Sequence, residues 1–426
     1  MDPGSFAEPL FRHEAGRLVA ILTRILGTEN LELAEDVVQE TLIQAMETWK
    51  HSGPPENPPA WLFRVAKNKA IDALRRQRHS VRFDFSDGDR ILLSSEYTLS
   101  VTLESLWGKS SIEDDMLGMM FACCHPGISE ESQIALVLKT LCGFSTAEIA
   151  QAFLTSEDTV NKRLFRAKEF FRKEKIRPVI PEDADLQDRL DPVLNSIYLV
   201  FNEGYRSTHD DNPIRTDLLG EALLLGKLLA DNPHISDPRV FALMALMCFH
   251  AARSDSRLTS EGDLVLLPDQ NRGLWDARLI QSGNAYMQRA AVGEGVTAYH
   301  LEAAIAYEHC IAPSFEATNW PQILQYYDWL CRVAPGPMTA LNRMIVVMQV
   351  HGPERALDGL WELSDQKSLR THSLFHALLG EIHMRMGEAE QAREGFATAA
   401  RLTQSEAERK VLREKIGRLG FPPSAV

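Results

Sequence analysis

Two clusters of basic side chains carry the chemistry that stands out in this 426-residue chain. Between positions 162 and 177, eight lysines and arginines stand against two glutamates, and between 61 and 79 six stand against one aspartate. Lysine and arginine neutralise phosphate groups, and an asparagine among them can hold a base edge. The sequence therefore indicates two surfaces able to bind a nucleic acid.

The overall charge argues the other way, because the net charge of the chain is −14. That figure averages unlike parts, with residues 1–180 summing to −4 and residues 181–426 to −10. Apolar residues make up 45 % and charged residues 24 % of the chain, which is typical of globular proteins. Long segments with helical periodicity and few alternating runs predict an all-α protein of two to four domains.

The first basic segment, residues 60–79, separates into two faces when it is wound as a helix. Leu62, Val65, Ala66, Ala70 and Ala73 fall on one face, and Arg64, Lys67, Asn68, Ile71, Arg75 and Arg78 on the other. Trp61 and Phe63 could stack on unpaired bases. A solvated charged face, with Trp61 as part of the core, explains the same pattern.

The second basic segment, residues 144–172, has the pattern of a helix-turn-helix. Ser145 and Glu148 form a capping box, residues 154–156 form the turn, and a second helix follows. Its inward stripe consists of Val160, Leu164, Ala167 and Phe171, and its open side carries Lys162, Arg163 and Arg166, with Asn161 near the edge. The second helix of such a motif enters the major groove of DNA.

A third segment, residues 34–49, is acidic at its start and amphipathic. Asp36, Gln39 and Glu40 project from its first turns, where they could form a docking surface for a basic partner. Acids near a helix N-terminus also interact favourably with the helix dipole, so capping alone could explain Glu35 and Asp36.

Together these segments resemble the sigma-70 superfamily of bacterial RNA polymerase sigma factors, and within it the compact extracytoplasmic-function (ECF) type. The matching stretches are AEDVVQETLIQAMETW, PPAWLFRVAKNKAIDALRRQRH and GFSTAEIAQAFLTSEDTVNKRLFRAKEFFR, in the order of regions 2.2, 2.3–2.4 and 4.2. Residues 121–126, 199–205 and 264–275 resemble the ECF group that carries a long C-terminal extension of tetratricopeptide-like (TPR) helices. Ser156 stands where region 4.2 usually has a proline, and Asn161 where a basic residue is common.

The resemblance implies a sigma region 2 domain (8–80), a linker (81–112), a sigma region 4 helix-turn-helix domain (113–177) and a TPR-like helical domain (185–426). It implies that RNA polymerase core, through its β′ and β subunits, is one partner and promoter DNA another. Contacts to core are expected from Asp36, Gln39 and Glu40. Contacts to the −10 element are expected from Trp61, Arg64, Lys67, Asn68 and Arg75. Contacts to the −35 element are expected from Asn161, Lys162, Arg163, Phe165 and Arg166.

The C-terminal part reads as a helical array whose last pair matches the TPR spacing at Gly380, Ala392, Phe396 and Ala399. Such arrays present a concave face suited to a protein or peptide partner. The predicted helices are 191–204, 215–231, 238–252, 272–291, 297–311, 320–333, 338–350, 370–386, 388–402 and 405–418. Residues 264–275 interrupt the pattern, and they could form either a ligand loop or a structural clamp.

The remaining sequence features favour a cytoplasmic protein. We expect no membrane span, no cofactor, no metal site and no catalytic residues. The six cysteines are sparse, and Cys123, Cys124 and His125 lack a second pair of zinc ligands, so buried thiols are expected. No phosphate loop or nucleophile motif is evident, which argues against an enzyme. The alternative to a sigma factor is a helix-turn-helix activator with a TPR sensor, which would leave the first basic segment without a role.

Overall fold

The computed structural model describes residues 3–78, 109–153, 155–205, 214–293, 295–363 and 367–419. Within these ranges the chain is all-α, as predicted, with no strand and a single isolated bridge between Leu258 and Leu264. Residues 1–200 form one compact unit and residues 201–426 another. None of the described helices combines the length and apolarity that crossing a membrane requires.

The first unit begins with three helices around an apolar core. They are α1 (Pro3–Leu26), α2 (Leu31–Ser52) and α3 (Pro58–Arg78). Leu18 and Leu22 of α1 and Leu62 of α3 are almost completely buried. Gly53 follows α2 with a φ of 74°, a conformation that favours glycine, and the prolines after it turn the chain into α3.

Further helices follow in the same unit. They are α4 (Lys109–Cys123), α5 (Glu130–Thr140), α6 (Thr146–Ala152), α7 (Glu157–Glu174) and α8 (Asp183–Tyr205), the last of which ends beyond residue 200. Since α4 begins at Lys109, the last four residues of the predicted linker 81–112 are helical, continuous with the buried run Met116–Cys123. Residues 79–108, which include the rest of that linker, lie outside the described residues.

Helices α1–α3 and α4–α7 pack directly on each other in this unit. A Cβ added to Gly16 of α1 would lie 1.8 Å from the carbonyl oxygen of Leu141, so the approach leaves no space for a side chain. Arg24 of α1 forms an ion pair with the buried Asp115 of α4. The two predicted sigma domains therefore form one body here.

The second unit is a succession of helices. They are α9 (Thr216–Asp231), α10 (Pro238–Ala251), α11 (Ala277–Ala290), α12 (Ala298–Ile311), α13 (Trp320–Val333), α14 (Pro337–His351), α15 (Pro353–Leu363), α16 (Lys367–Arg370), α17 (Ser373–Arg385), α18 (Ala389–Leu402) and α19 (Glu406–Arg418). The predicted array omitted α15. It also began a helix at 272, whereas α11 begins after Asp276, whose carboxylate caps the N–H groups of Arg278 and Leu279.

The last hairpin of this unit depends on small residues. Gly395 of α18 lies so close to Gly380 of α17 that an added Cβ would come within 2.7 Å of the Gly380 nitrogen. Ala392, Phe396 and Ala399, three positions of the predicted repeat, are fully buried. These positions form core contacts, and their assignment to a tetratricopeptide repeat stays a prediction.

Candidate nucleic-acid interface

Both helices of the helix-turn-helix form at the predicted residues, and Leu154 of the predicted turn lies outside the described residues. The Ser145 N–H donates to the Glu148 carboxylate at 2.7 Å, and the Glu148 N–H donates to the Ser145 hydroxyl at 3.1 Å, which is the predicted capping box. Ser156 caps α7 by accepting the Thr159 N–H at 3.2 Å. A serine cap replaces the usual proline here and still begins the second helix.

Helix α7 keeps its apolar stripe inside and its basic face outside. Val160, Leu164, Ala167 and Phe171 are buried, as predicted. Asn161, Lys162, Phe165 and Arg166 are exposed and Arg163 is partly exposed, so the five predicted contact residues share an accessible surface. Phe165 is 62 % exposed, which leaves an aromatic ring in water on a cationic face, where it can contact a thymine methyl group.

One ion pair on α7 involves a predicted DNA contact. The Lys162 ammonium lies 2.6 Å from the Asp158 carboxylate one turn earlier, with about two thirds of each side chain exposed. An exposed pair of this kind contributes about 0.3–0.5 kcal/mol, so a phosphate group can compete for the lysine.

Helix α3 presents the other basic face. Arg64 and Asn68 are exposed and Lys67 is half-buried, while the side chain of Arg75 lies outside the described residues. Trp61 is half-buried, with its ring centroid 5.5 Å from that of Trp49. The stacking role suggested for Phe63 is wrong, because its ring is buried in the core of the bundle.

The acidic residues at the start of α2 differ in exposure. Asp36, Gln39 and Glu40 are exposed, and Glu40 accepts from the Lys69 ammonium of α3 at 3.2 Å. One turn earlier, the Glu35 carboxylate lies 2.7 Å from the ammonium of Lys168 on α7, and both side chains are more than four fifths buried.

A second contact of the same kind continues this seam between α2 and α7. Glu32 lies 3.3 Å from Arg172, and the hydroxyl of Thr28, just before α2, donates to the carbonyl of Ile176. The amphipathic patterns of α2 and α7 taken singly do not indicate that their edges meet. Only complementary charge, acids on α2 and bases late on α7, could have suggested it.

Buried titratable groups support the packing of the first unit. Burial raises the pKa of Asp115 to about 6, although the Arg24 guanidinium acts to lower it. Burial also raises the pKa of Glu14, again against the pull of a neighbouring arginine, Arg17. The Asp115 carboxylate links α4 to α1 through Arg24, whereas Glu14 pairs with Arg17 within α1.

The adjacent cysteines Cys123 and Cys124 are free thiols and are buried, as expected. Cys123 lies 3.5 Å from the Thr140 hydroxyl, and Cys124 donates to Ser196 at 3.5 Å. Burial raises the pKa of the Cys124 thiol to about 12, so it is protonated at neutral pH. Among the described residues, no three His, Cys, Asp or Glu side chains come together as metal ligands.

Comparison with known proteins divides the chain into three matched segments. Sigma-70 region 2 matches residues 10–80, and sigma-70 region 4 matches residues 119–171. A family of unknown function, DUF6596, matches residues 189–291. No solved structure matches.

Curated relatives cover the chain to different extents. An uncharacterized protein of Rhizobium meliloti (strain 1021) is 34 % identical over 397 residues, which cover 93 % of this chain and 92 % of that protein. ECF RNA polymerase sigma factor SigL of Mycobacterium tuberculosis (strain H37Rv) is 34 % identical over 138 residues, 32 % of this chain and 70 % of that protein. ECF RNA polymerase sigma factor EcfG of Rhodopseudomonas palustris (strain TIE-1) is 28 % identical over 140 residues, 33 % of this chain and 69 % of that protein.

Proposed function

The chain belongs to the ECF RNA polymerase sigma factors of the sigma-70 family, and from that premise we propose how its surfaces take part in transcription initiation. The observation that carries the proposal is the accessible basic face of α7, the second helix of a helix-turn-helix. Arg163 and Arg166 bind bases or phosphates of the −35 element, with Asn161, Lys162 and Phe165 beside them.

Helix α3 binds the −10 element in this proposal. Arg64, Lys67 and Arg75 neutralise phosphates, and Asn68 contacts a base edge. Trp61 stacks on an unpaired base; its packing against Trp49 fixes the ring, so less side-chain entropy is lost on binding. Unstacking a base costs a few kcal/mol, which these contacts offset.

The exposed acids of α2 dock on the polymerase core. Asp36, Gln39 and Glu40 lie on one exposed surface, and core polymerase supplies most of the non-specific affinity for DNA. This division of labour suits a chain whose net charge of −14 would otherwise repel DNA.

Binding both promoter elements requires α7 to leave α2. Elements centred at −35 and −10 are separated by about 25 base pairs, or roughly 85 Å of B-form DNA. In the first unit, α7 instead lies against α2, with Lys168 2.7 Å from Glu35. The packed first unit therefore corresponds to sigma before it binds core, and the seam between α2 and α7 opens in the initiation complex.

The helical second unit modulates this activity, by regulating the sigma regions or by supporting them. A protein or peptide bound to its TPR-like helices is the proposed effector. A chain cut after residue 205, which keeps α8 with the first unit, should differ from the full chain in promoter-dependent transcription, provided that its helical content shows it to be folded. Equal activity of the two chains would contradict a modulating role.

The deciding experiment mixes the purified full chain with bacterial core polymerase and measures association and run-off transcription from selected promoter fragments. The Asp36→Lys/Glu40→Lys variant should lose core association while keeping its circular dichroism spectrum. Glu47→Lys, an exposed acid two turns further along α2, is the matched control. Failure of the unaltered chain to bind core would overturn the proposal, and transcription unaffected by the double change would favour the helix-turn-helix activator.

A further inference from the structure

The segment between α10 and α11 is a loop that closes on itself. The Asp276 N–H donates to the Ala252 carbonyl at 2.9 Å, which joins the two ends of the loop. Within it, the indole N–H of Trp275 donates to the Ser256 hydroxyl at 2.8 Å, and that hydroxyl lies 2.8 Å from the Arg253 carbonyl, to which it donates. These bonds fix the indole in place in a loop whose regular structure is limited to short 3-10 turns and one isolated bridge.

Two guanidinium groups lie over this one indole ring. The Cζ atom of Arg253 is 5.3 Å from the ring centroid of Trp275, and that of Arg272 is 4.5 Å from it. Arg253 and Trp275 are each only 7 % exposed. One amino group of Arg272 donates to the carbonyls of His309 and Ala312, which ties the loop to the end of α12.

Among the described residues, neither guanidinium has a carboxylate within ion-pair distance. The Arg253 Nε donates to the Gln270 side-chain oxygen at 3.4 Å, and the carboxylate that acts on Arg272 from further away belongs to the fully exposed Glu316. Arg253 is buried and Arg272 is partly exposed, and holding two positive charges over one ring without an opposite charge is unfavourable. The pair therefore favours a negative group beside it.

Two imidazole rings complete the cluster. Burial, reinforced by the charge of Arg253, lowers the pKa of both His250 and His309 to about 3, so both rings are neutral at pH 7. The buried Nδ1 atom of each ring, and Nη2 of Arg272, have no hydrogen-bond partner in the described part of the chain. Buried polar nitrogens are seldom left unpaired in proteins, so a ligand that accepts hydrogen bonds from Nη2 of Arg272, and from whichever imidazole nitrogens carry a proton, would satisfy them.

We propose that Arg253, Arg272, His250 and His309, here named the Trp275 cationic cluster, bind the phosphate group of a small molecule. Guanidinium groups match oxyanions with pairs of parallel hydrogen bonds, and a phosphate dianion has enough oxygens to accept from both arginines and from imidazole N–H groups. Residues 181–426 carry a net charge of −10, which repels a long polyanion such as DNA, whereas a small anion is affected mainly by the charges within about 10 Å of it. This binding site lies outside the matched sigma regions and stands independently of the roles proposed for them.

The test titrates the full chain, without polymerase, with inorganic phosphate at constant ionic strength and follows heat release and thermal unfolding. Saturable binding is expected, with a rise in Tm of roughly 5 °C at a phosphate concentration about a hundred times Kd. Parallel titrations with acetate and citrate compare carboxylates with phosphate. Stronger binding of these carboxylates than of phosphate would overturn the assignment to a phosphate group.

Two variants locate the site. Arg253→Gln should weaken phosphate binding at least tenfold, whereas Arg289→Gln should leave it unchanged, because Arg289 packs on Phe241 and donates to Ala230 away from the cluster. Should Arg253→Gln fail to fold, Arg253→Lys keeps the charge, loses the paired donors and is expected to bind more weakly. Absence of saturable phosphate binding to the unaltered chain, or binding that neither change at Arg253 weakens, would overturn the proposal.

Discussion

The basic residues of α7 and those of the Trp275 cationic cluster are the same kinds of side chain in opposite settings. On α7 the predicted contacts face water, and the ion pair of Lys162 with Asp158 is exposed on both sides. In the second unit the guanidinium of Arg253 is buried against an indole, without a carboxylate partner in the described residues. One chain thus has basic side chains spread over an exposed helix surface and basic side chains gathered around a single indole ring.

The difference decides what each set can bind. Exposed cations attract an extended polyanion, and each contact is replaceable and weakened by salt. Buried cations have already lost most of their water, so they favour one small anion of matching shape and exclude a polymer. The geometry around a basic residue, rather than the sum of charges, therefore determines the class of partner.

The largest effect is expected from removing the indole ring of Trp275, over which the two guanidinium groups lie. Trp275→Ala should lower the free energy of unfolding of the second unit by about 3–5 kcal/mol, because a buried ring and its hydrogen bond to Ser256 are lost. Urea denaturation measures the change. Trp329→Ala is the control: that ring is 43 % exposed, and its loss should cost less than about 1 kcal/mol.

Removing the exposed cations should act on function and leave folding intact. Arg163→Ala/Arg166→Ala should lower promoter-dependent transcription by roughly 10- to 100-fold, since a base contact of this kind is worth about 1–3 kcal/mol. Thermal unfolding of this double variant should match that of the unaltered chain. Lys173→Ala, an exposed basic residue in the last turn of α7, should leave transcription within about twofold.

The two units should respond to pH with opposite signs. The pKa values of His250 and His309 are about 3 in the fold and near 6.5 in the unfolded chain, so acid protonates the unfolded state first. Stability of the second unit should then fall as pH drops below about 6.5, by on the order of 1 kcal/mol per pH unit for each histidine.

Asp115 gives the opposite slope in the first unit. Its pKa of about 6 exceeds the ordinary value of 3.8, so its contribution is complete below that ordinary value and is lost as pH rises through about 6. Hydrogen exchange of peptides from α4 and from α10, corrected for intrinsic rates, separates the two units. Asp115→Asn should reduce the pH dependence of stability in α4 and leave that in α10 unchanged. Equal slopes of stability against pH in the two units would contradict the roles assigned to Asp115 and the two histidines.

The smallest expected effect concerns the seam between α2 and α7. Arg172→Glu, at the exposed pair of this seam, should destabilise the packed first unit by about 1 kcal/mol and so raise the affinity for core polymerase by less than about tenfold. Adding Glu32→Arg restores opposite charges and should return the affinity toward that of the unaltered chain. Core affinity that does not respond to the single change would show that opening the seam is not linked to docking.

Local signals predicted much of this molecule, and tertiary contacts account for the rest. The capping box at Ser145 and Glu148 depends on residues three apart, which the sequence shows directly. The ion pair between Glu35 and Lys168 joins residues far apart in the chain, and no periodicity encodes it. The Trp275 cationic cluster draws its members from α10, the loop and the end of α12, so its convergence was likewise invisible in the sequence.

Errors in the prediction have similar causes. Helix α15 is missing from the predicted array, although Pro353 fits the first turn of a helix, where the missing N–H of proline is not needed. The spacing suggests a base-stacking role for Phe63 beside Trp61, but the structure leaves only 9 % of Phe63 exposed. A hydrophobic residue next to a basic face belongs to core or surface according to helix packing, which sequence spacing resolves only to within one residue.

The hydrogen bond between Asp276 and Ala252 gives the loop a single point of entry and exit. Because the chain leaves and rejoins the helical scaffold at one place, the intervening residues can be lengthened, shortened or exchanged as a block without moving α10 or α11. Such a cassette lets one scaffold acquire a new ligand through a local insertion or recombination event. Grafting the loop onto another helical repeat would need these two anchoring positions and, for Arg272, carbonyl acceptors like those of His309 and Ala312.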